Sequence, residues 1–513
     1  MVPGRAPGSV TSRTTWLGDR PWIPLTVVLA HAVVLTQYGW FRDEFYYLAC
    51  AEHLDYGFVD HPALPMLPLW VVRATVGDSL IALRLIAAGM MGLTVWVIGR
   101  IAEELGGGRY AATLAMTCAA IAPVFLALGS YYSMNAFEAF FWALACWLLL
   151  RAMRSESLGS WVALGSACGL GFENKISMLW LMGGLALGLL VVAPKRLRSR
   201  GPWLAAACAA TLLVPYVVWQ VQHDWATLEF IRMASSGKMV AQTPGAFLGA
   251  QITNMHPVTM PVWLMGLWFL LVRPSGRGAR ILGVAVLAVA VLLVLNSTSR
   301  PSYLAPAFAP LFAAGACWWE PRLRERARRA VLCGLVLSGL VVAPFGMPVL
   351  PVETFVRYAA ALGQTPSTDE KKELADLPQF YADRFGWPQW VDAVTAAYRS
   401  LPPAEQRAAV IFASNYGEAG ALTVLGRDNG LPPIVSGHNS YWLWGPGERR
   451  GDVVLALVPA SRGRLEQAFE SVEQVAVITC DHCIPYENHR PIYVCRGPRQ
   501  TLAARWRDLK HFD

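Results

Sequence analysis

The sequence predicts an α-helical polytopic membrane protein that ends in a small α/β domain. Of its 513 residues, 55% are hydrophobic and only 15% are charged, whereas soluble globular chains carry about 25% charged residues. The mean hydropathy is +0.38, and the apolar residues lie in long runs separated by short basic loops. From about residue 347 the runs shorten and charged residues become more frequent. These observations exclude an ordinary soluble enzyme, a disordered chain and a disulfide-stapled mini-domain.

The membrane spans follow from the length of the apolar runs. A helix needs about 20 mainly apolar residues to cross the hydrocarbon core of a bilayer. We therefore expect a membrane domain over residues 1–346 with about eleven transmembrane helices, at 22–38, 79–98, 110–129, 136–150, 160–173, 176–193, 203–221, 258–272, 279–296, 302–318 and 330–346.

The basic residues of this domain predict its orientation. It holds 26 Lys+Arg against 16 Asp+Glu, and topology explains this excess better than a nucleic-acid surface does. The positive-inside rule places the basic loops in the cytoplasm, and an odd number of spans then places the C-terminal region outside. We expect a multi-pass protein of the cytoplasmic membrane whose first span is retained and not cleaved as a signal peptide. The basic positions are Arg5, Arg13, Arg20, Arg100, Arg109, Arg151, Arg154, Lys195, Arg196, Arg198, Arg200, Arg273, Arg277, Arg280 and the run from Arg322 to Arg329.

Residues 347–513 predict a separate extracytoplasmic domain. They carry 17 Lys+Arg and 19 Asp+Glu, and strand-like and helix-like segments alternate along them, which is typical of an α/β fold. In order, these segments are AAVIFASNYG (strand into loop), GEAGALTVLG (helix), DVVLALV (strand), RGRLEQAFE (helix) and VEQVAVITC (strand).

The C-terminal domain contains three cysteines, Cys480, Cys483 and Cys495. On the oxidising side of a membrane, a disulfide between Cys495 and one of the other two is favoured. The alternative is a structural zinc site that combines the CDHC segment with His482 and His489.

The first outer loop, residues 39–78, is the richest in ionisable groups. Directly after the first span it offers Asp43 and Glu44 between aromatic residues, and Asp60 and His61 follow. Charged groups at a membrane boundary are costly to desolvate, so such a cluster predicts a functional site. Solvated loop charges are the plainer interpretation, which we favour for the isolated acidic residues of the loop.

Later outer loops add further polar groups. Asn135 and Glu138 lie one helical turn apart at the start of a span, where a functional role and simple helix capping are both open. Lys175 either neutralises the nearby Glu173 or contacts a phosphate. Carboxylates and cations that converge in this way suit a reaction at an anionic, lipid-linked phosphate. The remaining outer loops contribute His223, Asp224, His256, Arg300 and Tyr303.

The first outer loop, RDEFYYLACAEHLDYGFVDHPAL, resembles the signature of a family of bacterial GT-C membrane glycosyltransferases. This superfamily is related to protein O-mannosyltransferases (glycosyltransferase family 39-like) and includes lipid A aminoarabinose transferases and lipopolysaccharide-core galacturonosyltransferases. Three further stretches, YYSMNAFEAFFW, GFENKISM and SRPSYLAPAFAP, support the resemblance over roughly residues 20–320. The segments ASNYGEAGALTVLG and SGHNSYWLWGP resemble the C-terminal region of many bacterial members.

The resemblance implies a GT-C fold and an enzyme that transfers a sugar, with inversion, from a polyprenyl-phosphate-sugar donor to a lipid, glycan or protein acceptor. Asp43 matches the catalytic acidic position of the family and would be the general base, with Glu44 as its helper. The leaving phosphate needs cations or a metal ion. The resemblance implies that Arg42, His61, Lys175, Arg300 and Tyr303 bind this phosphate.

The chain departs from the aminoarabinose transferases at two positions. Asp60-His61 stands where those enzymes have a lysine, and Asn135 stands where they have an acidic residue. With Asn135 in place of that acidic residue, the resemblance leaves two alternatives open, a site without metal and a divalent metal ion held by Asp43 and Glu138, with Asp60 as another substitute ligand. No organic cofactor is expected. The positions assigned to substrate contacts are Asp60, Asn135, Glu138 and His256.

Three other functions compete with this interpretation. A transporter or flippase of a lipid-linked sugar predicts charges in the middle of spans and an internal repeat, whereas the charges lie mainly at span ends and no repeat is visible. A scaffold would give the acidic pair no role. A true protein O-mannosyltransferase would carry a large outer domain between late spans, and none is visible in the sequence.

Overall fold

The computed structural model describes residues 21–155, 157–272, 277–459 and 462–513. A helical part extends to residue 346, and a part that contains a β-sheet follows it. Four of the basic residues used to predict the orientation, Arg5, Arg13, Arg20 and Arg273, lie outside the described residues.

The helical part follows the predicted apolar runs and adds shorter helices in the loops. The first outer loop contains two of these additional helices, α2 and α3, where the sequence predicted only a loop. The helices are α1 (Trp22–Ala32), α2 (Arg42–Glu52), α3 (Met66–Val76), α4 (Leu80–Glu104), α5 (Arg109–Ala120), α6 (Pro123–Gly129), α7 (Met134–Ser155), α8 (Leu158–Asn174), α9 (Met178–Val192), α10 (Arg200–Gln222), α11 (Ala226–Met233), α12 (Pro244–Asn254), α13 (Met260–Val272), α14 (Arg277–Leu295), α15 (Phe308–Trp319) and α16 (Glu325–Val342).

Within the described residues, five helices are long and apolar enough to cross a membrane, or up to seven spans if each of two bent pairs counts as one. The five are α4, α7, α10, α14 and α16. The bends lie between α5 and α6 (70°) and between α12 and α13 (96°). Pro123 and Pro257 stand at these breaks, and proline removes a helical N–H donor. The fold is therefore a multi-pass helical one, but the predicted count of eleven spans is not confirmed.

Glycine residues let neighbouring helices of the bundle approach closely. A Cβ atom at Gly315 of α15 would lie 1.8 Å from the carbonyl oxygen of Val262 in α13. One at Gly165 of α8 would lie 2.3 Å from the carbonyl oxygen of Ala205 in α10. Membrane helices pack through such small residues because no hydrophobic force drives them together in lipid.

The loops that the positive-inside rule groups together contact one another at one end of the bundle. The carboxylate of Glu320 accepts hydrogen bonds from the backbone N–H groups of Gly108 and Tyr110, and Arg154 pairs with Glu104. The other set of loops lies against the part that contains the sheet, where the candidate site is found.

The C-terminal part has a five-stranded sheet in the order β2-β1-β3-β5-β4. Strand β1 is parallel to β2 and β3, whereas β5 is antiparallel to β3 and β4. Each predicted strand and helix segment is found, so the α/β character predicted from the sequence is confirmed. The strands are β1 (Ala409–Ala413), β2 (Ile434–Ser436), β3 (Val453–Leu457), β4 (Phe469–Ile478) and β5 (Arg490–Pro498), and the helices are α17 (Val352–Ala361), α18 (Gln379–Ala382), α19 (Trp387–Arg399), α20 (Pro403–Ala408), α21 (Tyr416–Leu425), α22 (Ser440–Leu443), α23 (Arg462–Ala468) and α24 (Leu502–Arg505).

The cysteine pairing differs from the prediction. Cys480 and Cys483 form a disulfide with each other, so the predicted bond from Cys495 to one of them is wrong. Cys495 is a free, fully buried thiol in β5, where it pairs across the sheet with Val472 of β4 and packs as a small apolar residue. The zinc alternative also fails, because both thiols of the CDHC segment are used in the disulfide.

The two parts of the protein meet where α21 lies against α2. A Cβ atom at Gly417 would lie 2.2 Å from Cγ of Arg42, and one at Gly420 would lie 2.7 Å from Cβ and 3.0 Å from the backbone carbonyl carbon of Phe45. Because glycine has no side chain, the backbone of α21 at these two positions packs directly against Arg42 and Phe45 of α2. Because Arg42 meets Gly417 and Phe45 meets Gly420, the two helices run in the same direction.

We predict that Gly420→Ala destabilises the protein, because the backbone of Phe45 cannot move aside for the new methyl group. The expected cost is that of overpacking, about 1–3 kcal/mol, measured as a lower thermal midpoint of the purified protein. Gly463→Ala in α23 is the matched control, since a Cβ atom there meets nothing within 4 Å. Equal midpoints for the two variants would contradict the close contact.

Candidate active site

Glu44 is a fully buried carboxylate whose oxygens are both engaged. Its Oε1 accepts from Nε of Arg84 at 3.0 Å and from the backbone N–H of Tyr132 at 2.9 Å. Its Oε2 accepts from Nη2 of Arg84 at 2.9 Å and from the backbone N–H of Phe41 at 2.8 Å. The last bond closes the first turn of α2. Glu44 therefore positions α2 and does not reach an open part of the site.

Arg84 of α4 connects this carboxylate to the turn between α1 and α2. It is fully buried and also donates to the backbone carbonyls of Leu35, Gln37 and Gly39. A buried guanidinium is tolerated only when its donors are paired. The ion pair thus fixes the start of α2 against the bundle.

Asp43 turns away from the bundle and leaves about a third of its side chain exposed (33%). The hydroxyl of Tyr416, at the start of α21, donates to its Oδ1 at 2.9 Å. Burial, with the nearby Asp43 charge, raises the pKa of Tyr416 well above its ordinary value, so this hydroxyl keeps its proton. The ring of Tyr416 stacks on Tyr46 at 4.6 Å between centroids. Asp43 is thus an accessible carboxylate between the two parts of the protein, and the hydroxyl of Tyr416 fixes its orientation.

Arg42 points toward the C-terminal part. It donates to the hydroxyls of Tyr486 and Tyr416, and its backbone N–H donates to the carbonyl of Asp383 at 3.1 Å. The residue is 6% exposed. Its Nε has no hydrogen-bond partner among the described residues and lies 4.0 Å from Oδ1 of Asp43. A buried guanidinium with an unpaired donor is suited to receive an anion.

A group of cations surrounds Glu370 beside Arg42. Lys372 lies 2.8 Å and Lys238 lies 3.9 Å from this carboxylate, and Arg300 forms a third ion pair with it. Burial alone would raise the pKa of Glu370, but Lys238, Lys372 and Arg300 lower it well below its usual range. Backbone pairing of Met239 with Glu370 holds the group together. We call Arg42, Lys238, Arg300 and Lys372 the cation group.

Lys175 lies in a second polar group at the start of α7. Its Nζ donates to Oδ1 of Asn135 and to Oε2 of Glu138, both at 2.7 Å, and Ser177 donates to the other oxygen of Glu138. Lys175 therefore pairs with Glu138 and not with Glu173. The Asn135 side chain does not cap α7. The hydroxyl of Ser133 does so instead, because it accepts from the backbone N–H of Asn135 at 3.2 Å.

Tyr303 connects this second group to the cation group. Nζ of Lys175 lies 5.1 Å from the centre of its ring, and its backbone N–H donates to the carbonyl of Arg300, which belongs to the cation group, at 3.0 Å. The predicted phosphate-binding residues Arg42, Lys175, Arg300 and Tyr303 are thus brought to the same region.

Asp60 and His61 lie behind this region. Asp60 accepts from the hydroxyl of Tyr46 at 2.8 Å. His61 is fully buried, with Nδ1 on the carbonyl of Pro62 at 2.8 Å and its ring among Tyr46, Tyr47 and Phe58. These two residues support the wall behind Tyr416 rather than the cation group.

His256 has a local role. Its Nδ1 accepts from the N–H of Val258 at 3.2 Å, and its backbone has a positive φ of 70°. It caps the turn that bends α12 into α13. Its hydrogen bonds in the described structure stay within this turn.

The residues present do not fit a divalent metal ion between Asp43 and Glu138. Glu138 is neutralised by Lys175 and bonded by Ser177, so a divalent ion bound to this carboxylate would lie against the ammonium group of Lys175, which repels it. Another group, His438, His511 and Asp513, has ligand atoms within 4.8 Å of one another. There, Nε2 of His438 bonds to Asp513, and its Nδ1 accepts from the N–H of Tyr416.

A buried acidic pair lies next to Arg42 in the C-terminal part. Glu418 pairs with Arg490 at 3.2 Å, and Asn415 donates to Glu418 at 2.9 Å and to Glu487 at 3.4 Å. Burial, and then the charge of Glu418, raises the pKa of Glu487 to about 8, although Arg42 and Arg490 oppose the shift. Glu487 therefore holds a proton at neutral pH.

Sequence reasoning missed several residues of the site: Arg84, Lys238, Glu370, Lys372, Tyr416 and Tyr486. The Asn-x-x-Glu spacing at Asn415 and Glu418 is a helix-start signal, and it marks Tyr416 as the first residue of α21. The other five have no local pattern, because each acquires its role through a partner distant in the chain.

Comparisons with known proteins agree with this architecture. Residues 60–219 match the family model for dolichyl-phosphate-mannose-protein mannosyltransferase. A lipid A galacturonosyltransferase, RgtD from Rhizobium johnstonii, is 23% identical over 270 residues, which are 51% of this chain and 56% of that protein. The chain thus spans little more than half the length of this relative.

Two solved structures share the fold. ArnT from Cupriavidus metallidurans bound to undecaprenyl phosphate is 16% identical, with a TM-score of 0.60 over 93% of this chain and 99% of that one. ArnT in the apo state is also 16% identical, with a TM-score of 0.59 over 93% and 98% of the two chains.

The fold defines a multi-pass helical membrane protein that shares the GT-C-like architecture of its structural neighbours. The particular resemblance seen in the sequence is confirmed: the chain is similar to the GT-C glycosyltransferases of the protein O-mannosyltransferase and aminoarabinose transferase superfamily, which is glycosyltransferase family 39-like.

We predict that Arg84→Met strongly destabilises the protein, because it leaves Glu44 buried without its partner. Breaking a buried ion pair from one side costs about 3–5 kcal/mol, so the thermal midpoint should fall by many degrees. Arg462→Ala is the control, since Arg462 pairs with Glu466 on the exposed surface and such pairs contribute little. Adding Glu44→Gln to Arg84→Met should restore part of the loss, and a further additive loss would contradict the assignment.

We predict that the free energy of unfolding decreases as the pH rises from 6 to 8, and that it changes less over this range in Glu487→Gln. The unfolded chain loses the proton of this carboxyl near its ordinary pKa of 4.5, whereas the folded protein keeps it to about pH 8. The folded state therefore binds more protons over this window, and the free energy of unfolding decreases as pH rises. Thermal midpoints at both pH values measure the effect.

Glu473→Gln is the control for the pH experiment, because Glu473 is 60% exposed in β4. Its profile should follow the wild type. A Glu487→Gln profile as steep as that of the wild type would assign the titration to other groups.

Proposed function

We propose that this protein is a glycosyltransferase that moves a sugar, with inversion, from a polyprenyl-phosphate-sugar donor to an acceptor on the outer face of the cytoplasmic membrane. One observation carries the proposal: the accessible carboxylate of Asp43 lies beside a cation group that both parts of the protein build. ArnT, whose fold this chain shares, binds undecaprenyl phosphate, which supports the same class of donor here.

Asp43 is the general base in this proposal. Tyr416 holds one carboxylate oxygen through its hydroxyl, so the other oxygen is free to take the proton of the acceptor hydroxyl as that oxygen attacks the anomeric carbon. The bond from the anomeric carbon to the phosphate oxygen breaks at the same time. Attack from the face opposite the phosphate inverts the configuration of the sugar.

The cation group binds the phosphate and stabilises the charge that it gains as it leaves. Arg42 has an unpaired donor, and Arg300 keeps 30% of its side chain exposed despite its pairing with Glu370. Lys238, Arg300 and Lys372 all pair with the single carboxylate of Glu370, so their remaining donors are available for the phosphate. No step requires a metal ion.

An apolar groove provides a place for the polyprenyl chain. Its volume is about 440 Å³, and its lining is entirely apolar. Phe137 and Phe141 of the lining lie on α7, the helix that also carries Glu138. The other lining residues are Leu64, Leu67, Pro68, Val71, Met90 and Phe140.

The orientation belongs to the same proposal. A donor made in the cytoplasm and presented on the outer face requires the C-terminal part, which supplies Lys372, Tyr416 and Tyr486, to be extracytoplasmic. The acceptor can be a lipid, a glycan or a protein.

We predict that Asp43→Asn abolishes sugar transfer without changing expression or thermal stability. Loss of a general base typically costs a factor of about 10²–10⁴ in rate. The assay follows label from a panel of radiolabelled polyprenyl-phosphate sugars in membranes that contain each variant. Asp428→Asn, an exposed aspartate outside the site, is the matched control and should transfer as the wild type does.

Equal transfer by the wild type and Asp43→Asn would remove Asp43 from the mechanism. An absence of transfer from every donor would count against the proposed enzyme class.

A further inference from the structure

A second cavity, of about 540 Å³, opens between the end of α2 and the C-terminal part. It is lined by residues from the end of α2, from the end of α21 and its following loop, and from residues 441–447. Glu52, His53, Thr423, Arg427, Tyr441 and Trp444 supply its polar and aromatic groups. Asp43 and the cation group are absent from its lining, so it is distinct from the candidate active site. We call it the aromatic cleft.

The aromatic cleft and the candidate active site lie at opposite ends of the parallel pair of helices. Both α2 and α21 begin at the site, where Asp43 meets Tyr416, and both end at the cleft. Nine residues separate Asp43 from Glu52, which at 1.5 Å per residue is about 14 Å along the helix. A short oligosaccharide spans this distance.

The walls of the aromatic cleft suit a saccharide. Trp444 stacks on His53 at 4.2 Å and meets Tyr441 at 4.6 Å between ring centres, and aromatic rings of this kind pack against the C–H faces of sugars. Glu52 and Arg427 are 37% and 44% exposed and offer hydrogen-bonding groups for hydroxyls.

The charges of the aromatic cleft balance each other. Arg427 pairs with Asp78 at 3.1 Å and with Glu52 at 3.7 Å, and Arg73 pairs with the same two carboxylates, each at 3.2 Å. A phosphate-binding site would leave a cation in excess, and a lipid-tail groove would lack these charges. A hydroxyl-rich, uncharged ligand fits the lining best.

We propose that the aromatic cleft binds a saccharide portion of the acceptor, so that the acceptor is a glycan or a glycan-bearing lipid. The inference rests on the proposed function, because only a glycosyltransferase has an acceptor. Binding of the saccharide to the cleft does not itself require catalysis. The sugar in the cleft holds the acceptor while a hydroxyl further along it reaches Asp43.

The test measures binding of three soluble trisaccharides to the full chain in phosphatidylcholine nanodiscs, which carry no sugar headgroups. The trisaccharides are built from a neutral hexose, an N-acetylhexosamine and a uronic acid. We expect at least one of the first two to bind. Its Kd should rise about tenfold or more in Trp444→Ala and several-fold in Arg427→Ala, which removes a side chain from the rim and is the safer variant for folding.

Two control variants locate the binding. Arg462→Ala, at an exposed arginine of α23, should bind as the wild type does, and so should Asp43→Asn although its transfer is lost. Failure of both uncharged trisaccharides to bind, or binding that neither Trp444→Ala nor Arg427→Ala weakens, would overturn the proposal. Loss of binding in Asp43→Asn would also overturn it, because the sugar would then lie at the active site.

The same variants separate this inference from the proposed function. Binding that depends on Trp444 while Asp43→Asn still transfers sugar would support the cleft and reject the catalytic role of Asp43. In the transfer assay, Arg427→Ala should raise the KM for a glycan acceptor and leave the KM for the donor unchanged.

Discussion

The buried ion pair between Glu44 and Arg84 is the interaction on which the arrangement of the site depends. Two charges out of water cost several kcal/mol each, and that cost is offset here because both oxygens of Glu44 accept two hydrogen bonds. The partners come from the turn after α1, from α4 and from the segment before α7. One carboxylate therefore fixes the rotation of α2, and with it the direction in which every side chain of that helix points.

The second constraint is the contact between α2 and α21. Gly417 and Gly420 let the C-terminal part approach the helix that the ion pair has fixed. Asn415, whose side chain accepts from the N–H groups of Gly417 and Glu418, starts α21 at Tyr416. The hydroxyl of Tyr416 therefore lies within hydrogen-bond distance of Asp43. The arrangement proposed for catalysis is thus shared between the two parts, because Asp43 comes from one and Tyr416 from the other.

The sequence predicted the elements of the fold better than the contacts of the site. The apolar runs located the helices, and alternating segments located the strands, because both depend on local patterns. The Asp43-Glu44 pair also stood out locally, but which carboxylate faces the bundle depends on Arg84, forty residues away. Glu370 and Lys238 meet only through the fold. The cysteine pairing was wrong because the sequence could not show that β5 buries Cys495 in the sheet, away from the other two thiols.

Helix geometry explains how three consecutive charged residues can serve three purposes. Successive side chains on an α-helix point about 100° apart, so Arg42, Asp43 and Glu44 cannot all point in the same direction. With Glu44 directed into the bundle by Arg84, Arg42 must face the C-terminal part and Asp43 must face the opening between them. Arg42 and Asp43 nevertheless meet at one partner, because the hydroxyl of Tyr416 accepts from Arg42 and donates to Asp43, and Nε of Arg42 lies 4.0 Å from Oδ1 of Asp43. The first turn of α2 therefore presents the proposed base and one proposed phosphate-binding cation side by side, and the fixed rotation of the helix holds both at the contact with the C-terminal part.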